Sequence, residues 1–511
     1  MSARLSVASI LAESARRYPD KVAIVMGDSR LTYAQVWQMA RRYAAVLRDQ
    51  GVGPGSRVGL LLPNIPHFAF AYYGVLALGG VVVPVHALLK ADEIAYTLED
   101  SQCVALVTAA PLLGEAMKGA EIAGVPLLSV LDSDADMSDV TRLDLLAMAA
   151  EPVAALLPRR PEDEAVILYT SGTTGKPKGA VLTHSNMVWN ATICARDACD
   201  IRHDDVLLAV LPLFHSFGQT VNMNGGFLVG ATLVLMPRFE GPAALDLMVR
   251  EGVSFFAGVP TMYMALLAAA AENPARPPWR QVVSGGAAIP VAVIEKVKDV
   301  FGVDVYEGYG LSETAPVATF NQAVYGRKVG SIGCALWGVD VAVADAEVEG
   351  RIDLLPDGQP GEIVIRGHNI FDGYLNKPEA TEAVVVDGWF RSGDVGYRDE
   401  DGFFFIVDRK KDLIIRGGFN VYPREVEEVI MTYPGVAQVA VVGLPDEHYG
   451  EEIHAVVVCA AGQSVDPDAL VAWVKERVGQ HKYPRTVHVR EALPVGPSGK
   501  VLKRVIVDEL K

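Results

Sequence analysis

Residues 169–179 read YTSGTTGKPKG and are the most informative stretch of the sequence. An apolar run at residues 165–169 leads into this stretch and a second one at residues 180–183 follows it, so it is predicted to join two strands. Its glycines let backbone N–H groups turn towards a ligand, and its hydroxyls and lysines add donors and positive charge. A polyphosphate requires these groups. The spacing of glycines and lysine differs from that of the Walker loop, and no helix follows directly.

Length and composition restrict the class of protein. The chain has 511 residues, half of them hydrophobic, which is enough for several domains with sizeable cores. The formal net charge of −17 argues against general nucleic-acid binding and against a broad attraction to anionic membranes. Five cysteines without a CxxC pair, and an N-terminus without a signal-peptide pattern, indicate a cytoplasmic protein.

One uncharged run, residues 68–89, is long enough to cross a membrane. Gly79, Gly80 and Pro84 interrupt it. We therefore expect a buried helix over residues 65–78, followed by a strand over residues 81–85, and no integral membrane segment.

Strand-like and helix-like segments alternate up to about residue 330, a pattern typical of parallel sheets covered by helices. Loops of small or polar residues follow several strands, at residues 212–218, 284–287 and 307–314. Ligand sites of parallel sheets gather at such carboxyl ends. Ser185 is predicted to cap the helix after the second strand of the glycine-rich hairpin.

The pattern changes towards the C-terminus. Residues 340–407 read as strands and turns, and the residues beyond 412 carry a strand–helix pattern of their own. The predicted fold class is α/β, with a large N-terminal domain of helix-covered sheets, a strand-rich subdomain within it and a small α+β C-terminal domain. The predicted boundaries are 1–408 for the large domain, 409–412 for a hinge and 413–511 for the small domain.

The stretch at residues 169–179 resembles the phosphate-binding loop of the adenylate-forming superfamily, which includes the acyl-CoA synthetases. Residues 309–313, YGLSE, resemble the tyrosine-glycine-x-threonine-glutamate motif of that family, with Ser312 in place of the threonine. Residues 497–504, PSGKVLKR, resemble the segment that carries the family's adenylation lysine. The resemblance covers nearly the whole chain. It implies an ATP-dependent ligase that joins a carboxylic acid to coenzyme A through an acyl-adenylate, with Mg²⁺ beside the phosphates.

The resemblance also assigns the nucleotide site. Tyr309 would lie flat against the adenine, with Gly308 and Gly310 leaving room for the base. Asp394 would accept hydrogen bonds from the ribose hydroxyls, and Glu313 would bind Mg²⁺. The expected ATP- and AMP-binding residues are Thr170, Ser171, Gly172, Thr173, Thr174, Gly175, Lys178, Gly285, Gly286, Ala287, Glu307, Gly308, Tyr309, Gly310, Ser312, Asp394 and Arg409.

The resemblance also implies residues for the two reaction steps, adenylation and thioester formation. Lys500 would touch both the substrate carboxylate and the α-phosphate, and His215 would border the carboxylate. Lys411 occupies the hinge position of a small domain that rotates between the two half-reactions. After rotation, Gly417 and Gly418 would leave a passage for the pantetheine thiol of coenzyme A.

The acyl pocket is expected to involve residues 214–224, 259–263 and 311–317, which contain no Arg or Lys. A second carboxylate on the substrate would require a paired charge, so a medium- or long-chain fatty acid is the first expectation. The alternatives are an aryl acid, a dicarboxylate, or the loading of an acyl carrier protein. The expected oligomeric state is a monomer or a homodimer. The expected acyl-pocket residues are His215, Phe217, Gln219, Val259, Gly310 and Ala315.

Overall fold

The computed structural model describes residues 5–131, 140–170, 176–322, 324–410, 412–496 and 501–511. Several residues with predicted roles lie outside the described residues. They are Ser171, Gly172, Thr173, Thr174, Gly175, Lys411 and Lys500.

Helices and strands alternate along most of the described chain. The helices are α1 Ala8–Arg17, α2 Tyr33–Asp49, α3 Pro66–Ala77, α4 Ala91–Asp100, α5 Leu113–Ala123, α6 Leu143–Ala149, α7 His184–Ile193, α8 Gly226–Val229, α9 Gly241–Arg250, α10 Pro260–Glu272, α11 Val291–Phe301, α12 Pro378–Glu382, α13 Pro423–Met431, α14 Pro467–Lys475 and α15 Lys503–Leu510. Short 3₁₀ turns are Ala110–Leu112 and Ser312–Thr314, and π-helical turns are Cys194–Ala198 and Gly218–Gly225. The strands are β1 Val22–Met26, β2 Ser29–Thr32, β3 Arg57–Leu61, β4 Val81–Pro84, β5 Cys103–Ala109, β6 Leu127–Val130, β7 Thr141–Arg142, β8 Glu164–Thr170, β9 Lys178–Thr183, β10 Val206–Ala209, β11 Thr232–Leu235, β12 Phe255–Gly258, β13 Gln281–Ser284, β14 Val305–Gly310, β15 Val317–Phe320, β16 Cys334–Ala335, β17 Val339–Ala344, β18 Gly361–Gly367, β19 Gly373–Tyr374, β20 Val385–Val386, β21 Trp389–Arg398, β22 Phe404–Arg409, β23 Ile414–Arg416, β24 Phe419–Val421, β25 Val436–Asp446, β26 Gly450–Cys459 and β27 Thr486–Arg490.

Two large sheets form the body of the N-terminal domain, one in the order β16-β15-β14-β13-β12-β10-β11-β1-β2 and the other in the order β19-β9-β8-β4-β3-β5-β6-β7. Their inner strands are parallel, as the alternating pattern predicts, whereas β8 and β9 form an antiparallel hairpin. The glycine-rich stretch therefore joins strand to strand, which confirms the prediction for its flanks.

The strand-rich subdomain is the third sheet, β17-β18-β21-β20, with β22 paired to β21. The fourth sheet, β24-β23-β26-β25 with β27, belongs to the small C-terminal domain. Two buried hydrophobic clusters of this domain draw only on residues between 414 and 510. The small domain therefore has its own core, as an independent folding unit requires.

The uncharged run at residues 68–89 divides as predicted. Helix α3 ends at Ala77, and β4 follows inside the second large sheet. In the described part of the chain, no helix combines the length and apolarity needed to cross a bilayer.

The predicted cap of α7 was wrong by two residues. Thr183, not Ser185, precedes the helix: its Oγ1 accepts a hydrogen bond from the Asn186 N–H at 3.2 Å. The Asn186 Oδ1 accepts in return from the Thr183 N–H at 2.8 Å. This reciprocal arrangement is a capping box, in which Asn186 replaces the usual Glu or Gln.

Candidate functional site

A cavity of about 1520 Å³ opens where the two large sheets meet the strand-rich subdomain and the small domain. It is larger than the roughly 300–1,000 Å³ typical of a pocket for one small molecule, so it has room for two substrates. Loops that follow β10, β13 and β14 line it, as expected for the carboxyl ends of parallel strands. Gly496 and Leu502 of the small domain also line it.

Asp394 organises the polar half of this cavity. Its carboxylate is buried, with Oδ1 at 3.1 Å from the Arg409 Nε and Oδ2 accepting a hydrogen bond from the Tyr309 hydroxyl at 2.6 Å. The Asp394 charge raises the pKa of the Arg409 guanidinium. Each carboxylate oxygen keeps a further lone pair, so Asp394 can still accept from the hydroxyls of a sugar.

A buried ion pair holds the part of β21 that presents Asp394. The Glu362 carboxylate accepts from the Gly393 N–H at 2.9 Å and lies 2.7 Å from the Arg391 Nη2. The Ser392 hydroxyl donates to the Ile363 carbonyl at 2.7 Å and accepts from the Asp394 N–H at 3.1 Å. These bonds fix the Asp394 backbone from both sides, so the position of its carboxylate is preorganised.

Glu313 joins the polar half to the glycine-rich hairpin. Its Oε1 accepts from the Tyr374 hydroxyl at 2.8 Å and from the Thr170 hydroxyl at 3.5 Å, whereas Oε2 takes part in neither bond. The Lys178 ammonium lies 5.0 Å from the centre of the Tyr374 ring. Tyr374 therefore contacts both the Glu313 carboxylate and the Lys178 ammonium of the hairpin.

The glycines around Tyr309 are required by close packing within the protein. A Cβ at Gly308 would lie 2.5 Å from the Phe320 ring, and one at Gly310 would lie 1.8 Å from the Pro316 carbonyl oxygen. Both glycines thus permit close packing against β15 and the turn before it. That the two glycines also leave room for a base stays a prediction.

The other half of the cavity is apolar. Phe214, Phe217 and Val221 line it, together with the buried Cys199 at the end of the first π-helical turn. His215 also lines it, and its Nδ1 accepts from the Phe217 N–H at 3.3 Å. Phe217 lies against the loop after β13, since a Cβ at Gly285 would be 3.2 Å from its ring.

Polar side chains of the π-helical turn Gly218–Gly225 face the protein interior instead of this cavity. The Gln219 Nε2 donates to the Leu213 carbonyl at 3.3 Å, and the Asn222 Nδ2 donates to the Leu208 carbonyl at 3.2 Å. The Asn224 Oδ1 accepts from the Tyr73 hydroxyl at 2.6 Å. All three side chains are fully buried, and each makes at least one hydrogen bond within the core.

The cavity brings together most of the described residues predicted for the nucleotide and the acid. Those that line it are Thr170, Lys178, His215, Phe217, Gly285, Gly286, Gly308, Tyr309, Gly310, Ser312, Glu313, Asp394 and Arg409. Those that do not line it are Gln219, Val259, Ala287, Glu307, Ala315, Gly417 and Gly418. Gln219 turns into the core, and Ala315 uses its carbonyl to accept from the Thr220 hydroxyl at 3.2 Å. Gly417 and Gly418 form the turn between β23 and β24 of the small domain.

Comparisons with known proteins agree with this geometry. Residues 11–375 match the family model described as AMP-binding enzyme, and residues 425–500 match that of the AMP-binding enzyme C-terminal domain. The chain belongs to the AMP-binding enzymes. It is 36% identical to a long-chain-fatty-acid–CoA ligase of Bacillus subtilis, covering 98% of this chain and 94% of that protein. It is 38% identical to a feruloyl-CoA synthase of Amycolatopsis, covering 96% of both chains.

A solved structure supports the same assignment. The ATP-bound MatB of Rhodopseudomonas palustris superposes with a TM-score of 0.88 at 31% identity, covering 100% of this chain and 99% of that one. Within the AMP-binding enzymes the present chain is an AMP-forming acyl-CoA synthetase, which uses ATP and Mg²⁺ and takes coenzyme A as its second substrate.

The residues of this AMP-binding enzyme fit a magnesium ion. In the described ranges no group of three or more His, Cys, Asp or Glu could hold a metal ion by itself. A single carboxylate such as that of Glu313 suits Mg²⁺, which usually takes one or two protein carboxylates together with substrate phosphates and waters. When bound there, Mg²⁺ would offset negative charge on the phosphates.

Sequence reasoning missed three residues of the site in this AMP-binding enzyme. Tyr374 lies in a two-residue strand, which is too short to show a periodic pattern. Glu362 and Arg391 were present in the runs GEIVIRG and WFRSGD, but nothing in either run shows that the two side chains pair. Only the pairing of β18 with β21 brings them together.

Proposed function

We propose that this acyl-CoA synthetase acts on a medium- or long-chain fatty acid. The supporting observation is the character of the apolar half of the cavity. Among the described residues that line the cavity, the Lys and Arg side chains are Lys176, Lys178, Arg391, Arg409 and Lys410. Lys176 and Lys178 belong to the hairpin, Arg391 and Arg409 lie on strands of the strand-rich subdomain, and Lys410 follows β22. The polar neighbours of Val221 each make a hydrogen bond within the core. An alkyl chain needs no polar partner there, whereas a second carboxylate would lack a Lys or Arg partner.

In the first half-reaction, a carboxylate oxygen of the acid attacks the α-phosphorus of ATP and pyrophosphate leaves. Asp394 and Tyr309 would orient the ribose and the base, which places the α-phosphate near the boundary of the two halves. Arg409 and Lys178 would offset negative charge, and Lys500 is assigned from the sequence to contact the carboxylate and the α-phosphate. At about 4 Å, one such charge contributes on the order of 4 kcal/mol at an effective dielectric constant near 20.

In the second half-reaction, the thiol sulfur of coenzyme A attacks the acyl carbon, the thioester bond forms and AMP leaves. We place the boundary of the large domain at residue 408, the hinge at 409–412 with Lys411 as pivot, and the small domain at 413–511. Rotation about this hinge would bring Gly417 and Gly418 to the cavity. We further propose that the enzyme works in the cytoplasm, a location that agrees with its five unpaired cysteines. We also propose that it is a monomer or a homodimer.

An aryl acid is the second candidate. Phe217 and Phe320 both line the cavity and could pack against an aromatic ring. The identity with feruloyl-CoA synthase, 38%, is slightly higher than the 36% with the fatty-acid ligase.

A panel of acids separates the candidates. The enzyme is assayed by AMP release with ATP, coenzyme A and straight-chain acids of increasing length, coumarate-type and benzoate-type acids, and dicarboxylates. We expect the highest kcat/KM for a medium or long straight chain and little turnover of dicarboxylates. A higher kcat/KM for aryl acids than for every straight-chain acid would replace the first candidate by the second.

A further inference from the structure

Glu307 lies beside the cavity without lining it. Its Oε2 accepts from the Gly330 N–H at 3.0 Å, and the side chain is buried. Burial raises the pKa of Glu307 to about 7, while the nearby Arg424 and Arg327 lower it and Glu428 raises it. Arg424 and Glu428 belong to α13 of the small domain. The carboxylate predicted to bind the nucleotide therefore faces the small domain.

Arg424 occupies a central position in this contact. Its backbone N–H donates to the Asp408 carboxylate at 3.0 Å, and its Nη1 donates to the Ile406 carbonyl at 2.9 Å. Its Nε lies 3.8 Å from the Glu428 Oε1. Arg424 is thus bonded to the end of β22 while its charge acts on Glu307 in the large domain.

Glu428 reaches a second point on the large domain. Its carboxylate interacts with the backbone N–H of Val291, the first residue of α11. Helix α11 has no side-chain cap of its own and no acidic residue in its first turn. The N-terminus of a helix carries a partial positive charge and unpaired N–H groups, which favour a nearby carboxylate. Glu428 of the small domain therefore supplies the carboxylate that the N-terminus of α11 lacks.

This contact lies next to the nucleotide half of the cavity. The loop that begins with Gly285 and Gly286 runs directly into α11, and β14 continues from Glu307 to Tyr309. With α13 docked in this way, Gly496 and Leu502, which flank residues 497–500, line the cavity. The docked orientation therefore brings to the cavity two residues between which Lys500 stands in the sequence.

We propose that Arg424 and Glu428 are positioning residues, which hold the small domain in the orientation for acyl-adenylate formation by docking on Glu307 and on the start of α11. This inference rests on the proposed function, since it requires two half-reactions with different domain orientations. Glu307 then acts as part of the docking surface and does not contact ATP.

The test measures the two half-reactions separately in the full-length enzyme. The first is the acid-dependent exchange of labelled pyrophosphate into ATP, and the second is acyl-CoA formation from supplied acyl-adenylate and coenzyme A. We compare wild type with Glu428→Gln and with the double variant Arg424→Gln/Glu428→Gln. The matched control is Glu425→Gln on the same helix, because Glu425 pairs with Lys482 inside the small domain at 2.7 Å.

We expect Glu428→Gln to lower the exchange rate at saturating substrates about 5-fold, and the double variant to lower it further, with the KM for ATP unchanged. The second half-reaction should stay the same or become faster, and Glu425→Gln should match wild type in both. Equal losses in both half-reactions, no loss in the double variant, or the same loss in Glu425→Gln would each overturn the inference. Absence of exchange in wild type would instead refute the proposed function.

Discussion

The two halves of the cavity are built on opposite principles. In the polar half, Asp394, Arg409 and Glu313 point inward, and each is held by a partner that also lines the cavity. In the apolar half, polar side chains such as Gln219 and Asn224 are present but turn into the core. The difference indicates that one half recognises specific atoms and the other recognises shape. Loss of a polar group should therefore affect rate strongly, whereas a change in the apolar half should change the choice of acid.

Removal of Lys500, the lysine assigned to adenylation by the family resemblance, should give the largest effect. Lys500→Ala is expected to slow adenylation about 1,000-fold, because a positive charge at the α-phosphate stabilises the transition state. Thioester formation from supplied acyl-adenylate should change by only a few fold. Single-turnover measurements of both steps check this. Equal loss in both steps would contradict the assigned role.

Asp394→Ala should give the next largest effect. The substitution removes the acceptor of the Tyr309 hydroxyl and the ion pair of Arg409, and we expect kcat/KM for ATP to fall about 100-fold. Asp340→Ala is the control, because Asp340 forms an exposed ion pair with Arg366 in the same sheet. A KM change for the acid that exceeds the change for ATP would contradict the division into two halves.

The fold and the polar half were largely predictable from the sequence, and the apolar half was not. Helix α3 has a strong apolar pattern, and its predicted ends at residues 65 and 78 lie within one residue of the observed ones. Tyr309 stands in the YGLSE motif, Asp394 was assigned from the family resemblance, and both lie within strands. The direction of Gln219 could not be predicted, because a π-helical turn changes which side chains share a face.

Glu307 shows the other limit of sequence reasoning. The family resemblance placed it among the expected nucleotide-binding residues, next to the YGLSE motif. Its surroundings include Arg424 and Glu428, and these belong to the distant helix α13. Only the docking of the small domain reveals that contact.

Val221→Phe tests the apolar half. The larger side chain should fill space that the far end of a long acid occupies, and we expect kcat/KM for the longest accepted acids to fall about 10-fold. Short acids serve as the internal control and should be affected little, as should the KM for ATP. A uniform loss for all chain lengths would show that Val221 does not border the acid.

The smallest effect is expected on stability at Glu307. Because burial raises its pKa from 4.5 to about 7, the folded protein binds this proton more tightly than the unfolded chain does. The carboxyl should therefore lower stability increasingly as pH rises from about 4.5 to 7. Thermal unfolding of Glu307→Gln should accordingly show a midpoint a few degrees above wild type at pH 8 and little difference at pH 4.5. The opposite pH trend would contradict the assigned environment, in which Arg424, Arg327 and Glu428 face the group.

The most direct test of the central claim is the exchange of labelled pyrophosphate into ATP in the absence of coenzyme A. The account predicts exchange that requires both Mg²⁺ and a carboxylic acid, since the acyl-adenylate forms in the cavity before the thiol reacts. Exchange that proceeds without any acid, or no exchange with any acid that supports AMP release in the complete reaction, would contradict it.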